Sequence, residues 1–398
     1  MEKTEILKNS KRHCFFMGVD DSGAQLCKAN MVYGMAKIHC LQRELGFESN
    51  ATFISTPNMT ITRNASLWKS GFGYGGKISW GDGDRELVIL DIRSNGCGML
   101  VGGLTALPEI ETMIRRMYEM DKKDTDLDGI KLIWNFHKSN HFIDVYEIKP
   151  VEKAALDLPP YGFIMHASSD EFKGDNEMGF GLYLDNSNKL KEMAERINTP
   201  FGGLHFLTGS NATAFYERYK YVDEFTRRKR RMAAGLLFGE FKEISNQTHQ
   251  GLISMNEMVL GCHHINREDT LFPIALRADL PAYLVKGIPN ISPDNIEILG
   301  FAKRARKLGL YKRLRKANVI PHGGGFVFPD VLMVNKVTEL NGNRYFEVEM
   351  LNDRGKKVIS EMQDLPYDYR GRKVVLRAME IGTIEIVAKL IPKYALKI

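Results

Sequence analysis

Apolar runs of strand length recur along this 398-residue chain without strict alternation with helices, and that rhythm limits its architecture more than any other feature. The runs are ELVILDI (86–92), IKLIWNF (130–136), YGFIMHA (161–167), PAYLVKG (281–287), RYFEVEML (344–351) and IEIVAKLI (384–391). Helical periodicity lies between them, clearest at 107–121, at 187–197 and from about 211 to 243. Strands and helices mixed in no fixed order predict an α+β fold on a mixed sheet rather than a doubly wound one. No Pro/Ser-rich linker, repeat or low-complexity tract divides the sequence, so one large domain over 1–398 is expected.

The hydrophobic fraction of 43% is ample for a core, yet no apolar run approaches the ~20 residues of a membrane helix. The start, MEKTEILKNSKRHCFF, is charged and lacks the apolar centre of a signal peptide. Five cysteines, an odd number and widely spaced, argue against a disulfide framework. These features predict a cytoplasmic protein without a membrane partner. The net charge of +6 is modest, but RRKRR fills Arg227 to Arg231 and KRARKLGLYKRLRK fills Lys303 to Lys316 with eight basic residues. Each run reads either as a solvated helix face or as a phosphate-contacting surface for nucleic acid.

GFGYGGK (71–77) has the spacing of a phosphate-binding P-loop, but Ile78 follows where Ser or Thr should bind magnesium. It reads as a glycine-rich turn. Several metal-type residues sit where strand-like runs begin or end: Asp91 and Cys97 in LDIRSNGCGML, Asn140, His141 and Asp144 in KSNHFIDVYEI, His166 in YGFIMHASSD, and His263, His264 and Glu268 in LGCHHINRED. Cys, His and Asp together suit manganese, iron or zinc. Each is equally a residue type found hydrogen-bonded in a core. PHGGGFVFPD (321–330) sets His322 before three glycines, where the chain turns sharply or something approaches the backbone closely.

Taken in order, these segments resemble those of the RtcB-type RNA-splicing ligases, manganese- and GTP-dependent enzymes that seal tRNA halves. DIRSNGCGM resembles the family's D-I-x-C-G, SNHFIDV its G-N-H-F-L-E-V, and FIMHASSD its strand ending in H-(T/S)-G-S-R. HHINRED resembles H-N-x-x-K-x-E, HGGGF the H-G-A-G-R nucleophile loop, and KLIPKYALKI the terminal R-L-x-P-x-x-x-x-K-G. The matches run from about residue 71 to the end, and residues 1–70 match the family poorly.

The resemblance implies the RtcB fold and a role for each matched position. His322 would be the catalytic nucleophile that carries GMP. One or two manganese ions per chain, with zinc as an alternative, would share Cys97, one adding His166 and His263, the other His141 and an aspartate. The family's aspartate stands three residues before the cysteine, where this chain has Ser94; Asp91 fits only if the intervening residues are an insertion. Asn140, Asp144, His264, Gly323, Gly324 and Lys397 would contact the guanine nucleotide. The implied activity joins RNA 2′,3′-cyclic phosphate or 3′-phosphate ends to 5′-hydroxyl ends, with RNA, GTP and an accessory activating protein as partners. Three departures stand out: Phe326 replaces the loop arginine, LVKGIPN stands for the family's P-G-S-M-G, and HASSD stands for H-(T/S)-G-S-R. They leave open a metal-dependent phosphoesterase or nucleotidyl transferase without ligation, or a non-catalytic RNA-binding paralogue.

Overall fold

The computed structural model describes residues 2–62, 64–136, 140–152, 156–351 and 355–397. Its centre is an eleven-stranded sheet. In chain order its strands are β1 (Cys14–Phe15), β2 (Thr52–Thr60), β3 (Tyr74–Ser79), β4 (Cys97–Leu104), β5 (Phe142–Pro150), β6 (Tyr161–Ala167), β7 (Lys242–Ser254), β8 (Glu257–Leu260), β9 (Leu271–Ile274), β10 (Ala282–Gly287) and β11 (Ile384–Leu396). Their spatial order is β1-β2-β3-β8-β7-β4-β6-β5-β11-β10-β9. Only the β1–β2 pair is parallel, so the sheet is mixed and the class is α+β, as the sequence predicts. The poorly matched N-terminal stretch supplies two strands of this sheet.

Three helices frame it: α1 (Ser22–Glu44), α2 (Ile110–Lys122) and α3 (Gly209–Phe238). Asp21 caps α1 by accepting a hydrogen bond from the Ala24 amide at 3.1 Å. One apolar run of the sequence does not become a full strand. IKLIWNF pairs only at Ile130–Lys131, because side chains take the later backbone groups: Ile133 N donates to Glu171 Oε1 at 2.7 Å and Lys229 Nζ donates to Ile133 O at 2.6 Å. GFGYGGK turns only at its first residues; Tyr74–Lys77 already belong to β3, contrary to the glycine-rich turn expected over the whole stretch, and Lys77 pairs with Glu257. All five cysteines are free thiols. No described helix is long and apolar enough to cross a membrane.

The two basic runs separate in the structure. RRKRR lies on α3, which packs on the sheet, and its charges are answered within the chain. Arg227 bonds Asp223 and the Asn246 carbonyl, Arg228 forks onto Asp128, and Arg231 forks onto Glu243. Lys229 is buried against Glu171 at 2.8 Å, and buried Arg230 donates to Asn246 Oδ1 and the Ala167 carbonyl. The second run forms two short helices, Ala302–Lys307 and Tyr311–Arg315, broken at Gly309, with Lys303, Lys307, Lys312, Arg315 and Lys316 exposed. A phosphate-contacting surface is therefore open to the second run and largely closed to the first.

Candidate functional site

Four neighbouring strands converge on one cavity. In sheet order β7-β4-β6-β5, they carry His249, Cys97, His166 and, one residue before β5 begins, His141. The registers align these positions: Cys97 pairs Gln250, Met99 pairs His166, and His166 pairs Phe142. Cys97, His141 and His166 are buried, and their ligand atoms all lie within 4.8 Å of one another. Cys97 Sγ is 3.1 Å from His166 Nε2 and 3.7 Å from His141 Nε2. A tetrahedral ion with bonds of about 2.0–2.3 Å separates its ligands by about 3.3–3.7 Å, so the three groups fit a metal ion with a position left over.

Backbone carbonyls set both imidazoles for this task. His166 Nδ1 donates to Asn140 O at 2.9 Å and His141 Nδ1 to Asn135 O at 3.2 Å, which leaves both Nε2 lone pairs facing the thiol. One thiol has a single proton to offer two lone pairs; a cation satisfies all three atoms together. Burial pushes the Cys97 thiol up to about 12, while burial pushes His141 down to about 4 and holds His166 well below its ordinary value. The histidines are thus neutral ligands at neutral pH, and the thiol needs a metal to lose its proton.

His249 is the residue that sequence reasoning missed. Its Nε2 lies 3.2 Å from His166 Nε2, its Nδ1 has no partner, and its ring sits 4.3 Å from that of His322, centroid to centroid. The β7–β4 register slips between Thr248 and Gln250, so His249 is the bulged residue and its side chain turns into the cavity. Of the two other expected ligands, Asp91 lies elsewhere and His263 stands next to His249 and His322. Asp91 pairs with His205 at 2.9 Å beside the small sheet at 87–89 and 195–208. His263 donates Nε2–H to Pro273 O at 2.9 Å, while its buried Nδ1 has no partner and its ring centroid is 5.9 Å from that of His249 and 6.3 Å from that of His322. Ser94, the other candidate for the aspartate's place, is buried and does not line the cavity.

The cavity, about 660 Å³, is lined by the metal-type cluster together with Asn140, Asp144, Lys173, His322, Gly323, Gly324 and Lys397. His264 lies outside its wall, beside Lys77 and Glu257. His322 Nδ1 donates to Gly261 O at 2.6 Å, so the Nε2 lone pair is the free one; burial lowers its pKa to about 4 and keeps it neutral. What lies against the glycines is mostly protein. A Cβ on Gly323 would meet Ala275 O at 2.7 Å, and one on Gly324 would overlap Arg370 O. Gly325 has φ +70°, which favours glycine. Arg370, itself buried, forks onto Asp21 at 2.6 Å per bond and donates to the Asn58 and Gly324 carbonyls. Phe326 stands against Tyr367 and Tyr369, each at 5.0 Å between centroids.

Asp144 gives the site a pH signature. Burial raises its carboxyl to about 6, against the opposing effects of the Tyr146 hydroxyl at 3.0 Å and of Lys397. One carboxylate oxygen, Oδ1, has no partner. A carboxyl whose folded pKa exceeds its unfolded one weakens the fold as pH rises between the two values, and the deficit is constant above the higher. Asp144→Asn keeps the tyrosine's acceptor and removes the charge. Urea denaturation should show the variant more stable by about 2–3 kcal/mol above pH 6 and indistinguishable below pH 4. Equal stability across that range would mean the carboxyl is not held protonated.

No protein-family model matches this chain, and no curated protein sequence does.

Proposed function

We propose that this chain is an RtcB-type RNA ligase that joins RNA 2′,3′-cyclic phosphate or 3′-phosphate ends to 5′-hydroxyl ends, using GTP and manganese or zinc. The observation that carries the reading is the placement of a neutral, tautomerically set His322 in the same cavity as the Cys97–His141–His166 cluster. A bound metal would supply positive charge against a phosphate in that cavity. Cys97, His141 and His166 would hold it, with His249 beside His166. His322 Nε2 presents its lone pair to the α-phosphorus of GTP; a P–N bond forms as the P–O bond to pyrophosphate breaks. No proton has to leave the ring first, because the Nδ1 proton stays on the Gly261 carbonyl. Asp144, with a free oxygen, can accept from a base N–H, and Lys173 and Lys397 bring positive charge to the same wall.

A second reading, a metal-dependent phosphoesterase or nucleotidyl transferase, is favoured by Phe326. It occupies the family arginine's place and packs on two tyrosines, which leaves no charge there for a phosphate. Labelled GTP with manganese separates the two. An acid-labile, alkali-stable adduct on His322 is expected, formed slowly for want of that arginine. His322→Ala should abolish it with metal content unchanged. An adduct that survives the substitution overturns the role of His322, and no adduct in metal-loaded protein shifts the assignment to the second reading. Metal-free protein that still binds RNA would leave a non-catalytic RNA-binding paralogue.

A further inference from the structure

The chain just beyond the His322 loop brings three aromatic rings to the wall of the cavity. Phe326–Val327 pairs antiparallel with Asp368–Tyr369, and the register sets Phe326 directly opposite Tyr369. Tyr367 lies two residues before Tyr369, on the same side of the extended chain. The Phe326 ring is 5.0 Å from each tyrosine ring, and the two tyrosines are 6.0 Å apart, centroid to centroid. All three line the cavity that holds His322. Asp368, between the tyrosines, takes Arg277 at 3.0 Å, which fixes this strand in place.

Phe326 rests on the main core from behind. The tyrosines do not: Tyr367 is 38% exposed, Tyr369 is half-buried, and neither belongs to a hydrophobic cluster among the described residues. Two of the three ring contacts are edge-to-face, an arrangement that spends the face of only one ring in each pair. Ring faces of the trio therefore stay uncovered by its own members, in a cavity otherwise rich in polar groups. Burying such a face under a flat partner is favourable.

The position of the trio narrows what that partner is. Phe326 is four residues past His322, so their Cα atoms lie no more than about 14 Å apart. Phe326 also stands where the family resemblance places an arginine. Exchanging a guanidinium for a phenyl ring removes a charge suited to phosphate and offers a π face suited to a base. We infer that Phe326, Tyr367 and Tyr369 form a stacking subsite for a nucleobase, the one at the RNA end beside the reacting phosphate. This rests on reading the cavity as a site for RNA ends, in which Asp144 and Lys397 serve the base of GTP. Every base has a π face, so the subsite tolerates any sequence, and it adds nothing to the salt slope, which counts phosphate contacts.

Short single-stranded RNAs with a 3′-phosphate test it, carrying either 2-aminopurine or an abasic sugar at the last position, on metal-loaded protein without GTP. Wild type should quench the 2-aminopurine and bind the abasic RNA about 5- to 150-fold more weakly, the range for one stacked base. Tyr367→Ala should weaken binding of the complete RNA by at least about fivefold and leave abasic RNA, the salt slope and metal content unchanged. Tyr367→Phe should keep the wild-type affinity, because the ring makes the contact. Thermal unfolding checks that the fold is intact, and Tyr369→Ala repeats the measurement at a second ring. Wild type that binds complete and abasic RNA equally overturns the inference, as does a Tyr367→Ala variant that weakens both alike. A loss of GTP affinity with RNA binding unchanged gives the rings to the guanine nucleotide and overturns the RNA end as the source of the base. An adduct on His322 without base-dependent RNA binding overturns the subsite alone. Base-dependent binding without an adduct supports the subsite and overturns the ligase reading.

Discussion

Cys97→Ala should lower the affinity for manganese or zinc by more than about a hundredfold, because even the loss of a group that only orients a metal ligand costs about 10- to 100-fold. The thiolate is the one anionic donor of the cluster and lies 3.1 Å and 3.7 Å from the two imidazole nitrogens. His249→Ala should cost less, since its Nε2 approaches His166 rather than the thiol, and His263→Ala less again, since its Nε2–H is held on the Pro273 carbonyl and its ring neighbours are His249 and His322 rather than the thiol. The order Cys97, His249, His263 distinguishes this geometry from a ligand set that includes His263. Binding should also release about one proton at neutral pH, because burial leaves the metal-free thiol protonated with a pKa of about 12 and the histidines already neutral. Calorimetry in two buffers of different ionisation enthalpy reads that proton directly. Equal losses for Cys97→Ala and His263→Ala, or no proton released, would count against the cluster as the metal centre.

The parts of this site that were legible in the sequence are those that strand ends expose. Cys97, His141 and His166 stand at the boundaries of β4, β5 and β6, where a run of apolar residues gives way to polar ones. His249 gives no such signal: it sits within β7 among polar neighbours, and a register slip, not a residue pattern, turns it inward. Asp91 was visible as a carboxylate near Cys97, but sequence distance could not show that a left-handed turn at Arg93, φ 60°, lies between them while His205 takes its side chain. His263 follows Gly261, whose φ of +59° redirects the chain before a short pairing with Val319–Pro321 sets the ring against the Pro273 carbonyl, with His249 and His322 as ring neighbours. RRKRR shows the same limit for charge. Its helical character was legible, yet its exposure depended on tertiary partners, and Arg230 ends up tying α3 to β7 at Asn246 and to the end of β6 at Ala167. The overall class was legible because it depends on the count and spacing of apolar runs; the order of the eleven strands depends on non-local pairing, which no run by itself encodes.

Gly324→Ala should separate the histidine loop from the metal cluster. An added Cβ would overlap the Arg370 carbonyl oxygen, and the neighbours on that side are backbone atoms that cannot rotate away. Arg370 cannot give way easily either, because its guanidinium is fixed on Asp21 and the Asn58 carbonyl, and its amide donates to Gly325 O at 3.0 Å. The loop itself must therefore shift, and His322 moves with it. The expected loss of stability is about 1–3 kcal/mol, as for other overpacked sites. A displacement near 1 Å at a reacting group can cost about 100-fold in rate, so guanylylation should fall by that order. Metal affinity should not change, since Cys97, His141 and His166 hang from other strands and take their orientation from Asn135 and Asn140. Gly235→Ala provides the control. That glycine lies within α3 with no atom within 4 Å of the added carbon, so alanine there should stabilise the protein by about 0.5–1 kcal/mol and leave both readouts unchanged. If Gly324→Ala instead lowered metal affinity and guanylylation together, the loop and the cluster would form one mechanical unit. If it lowered neither, the tight approach to Arg370 would not be what positions His322.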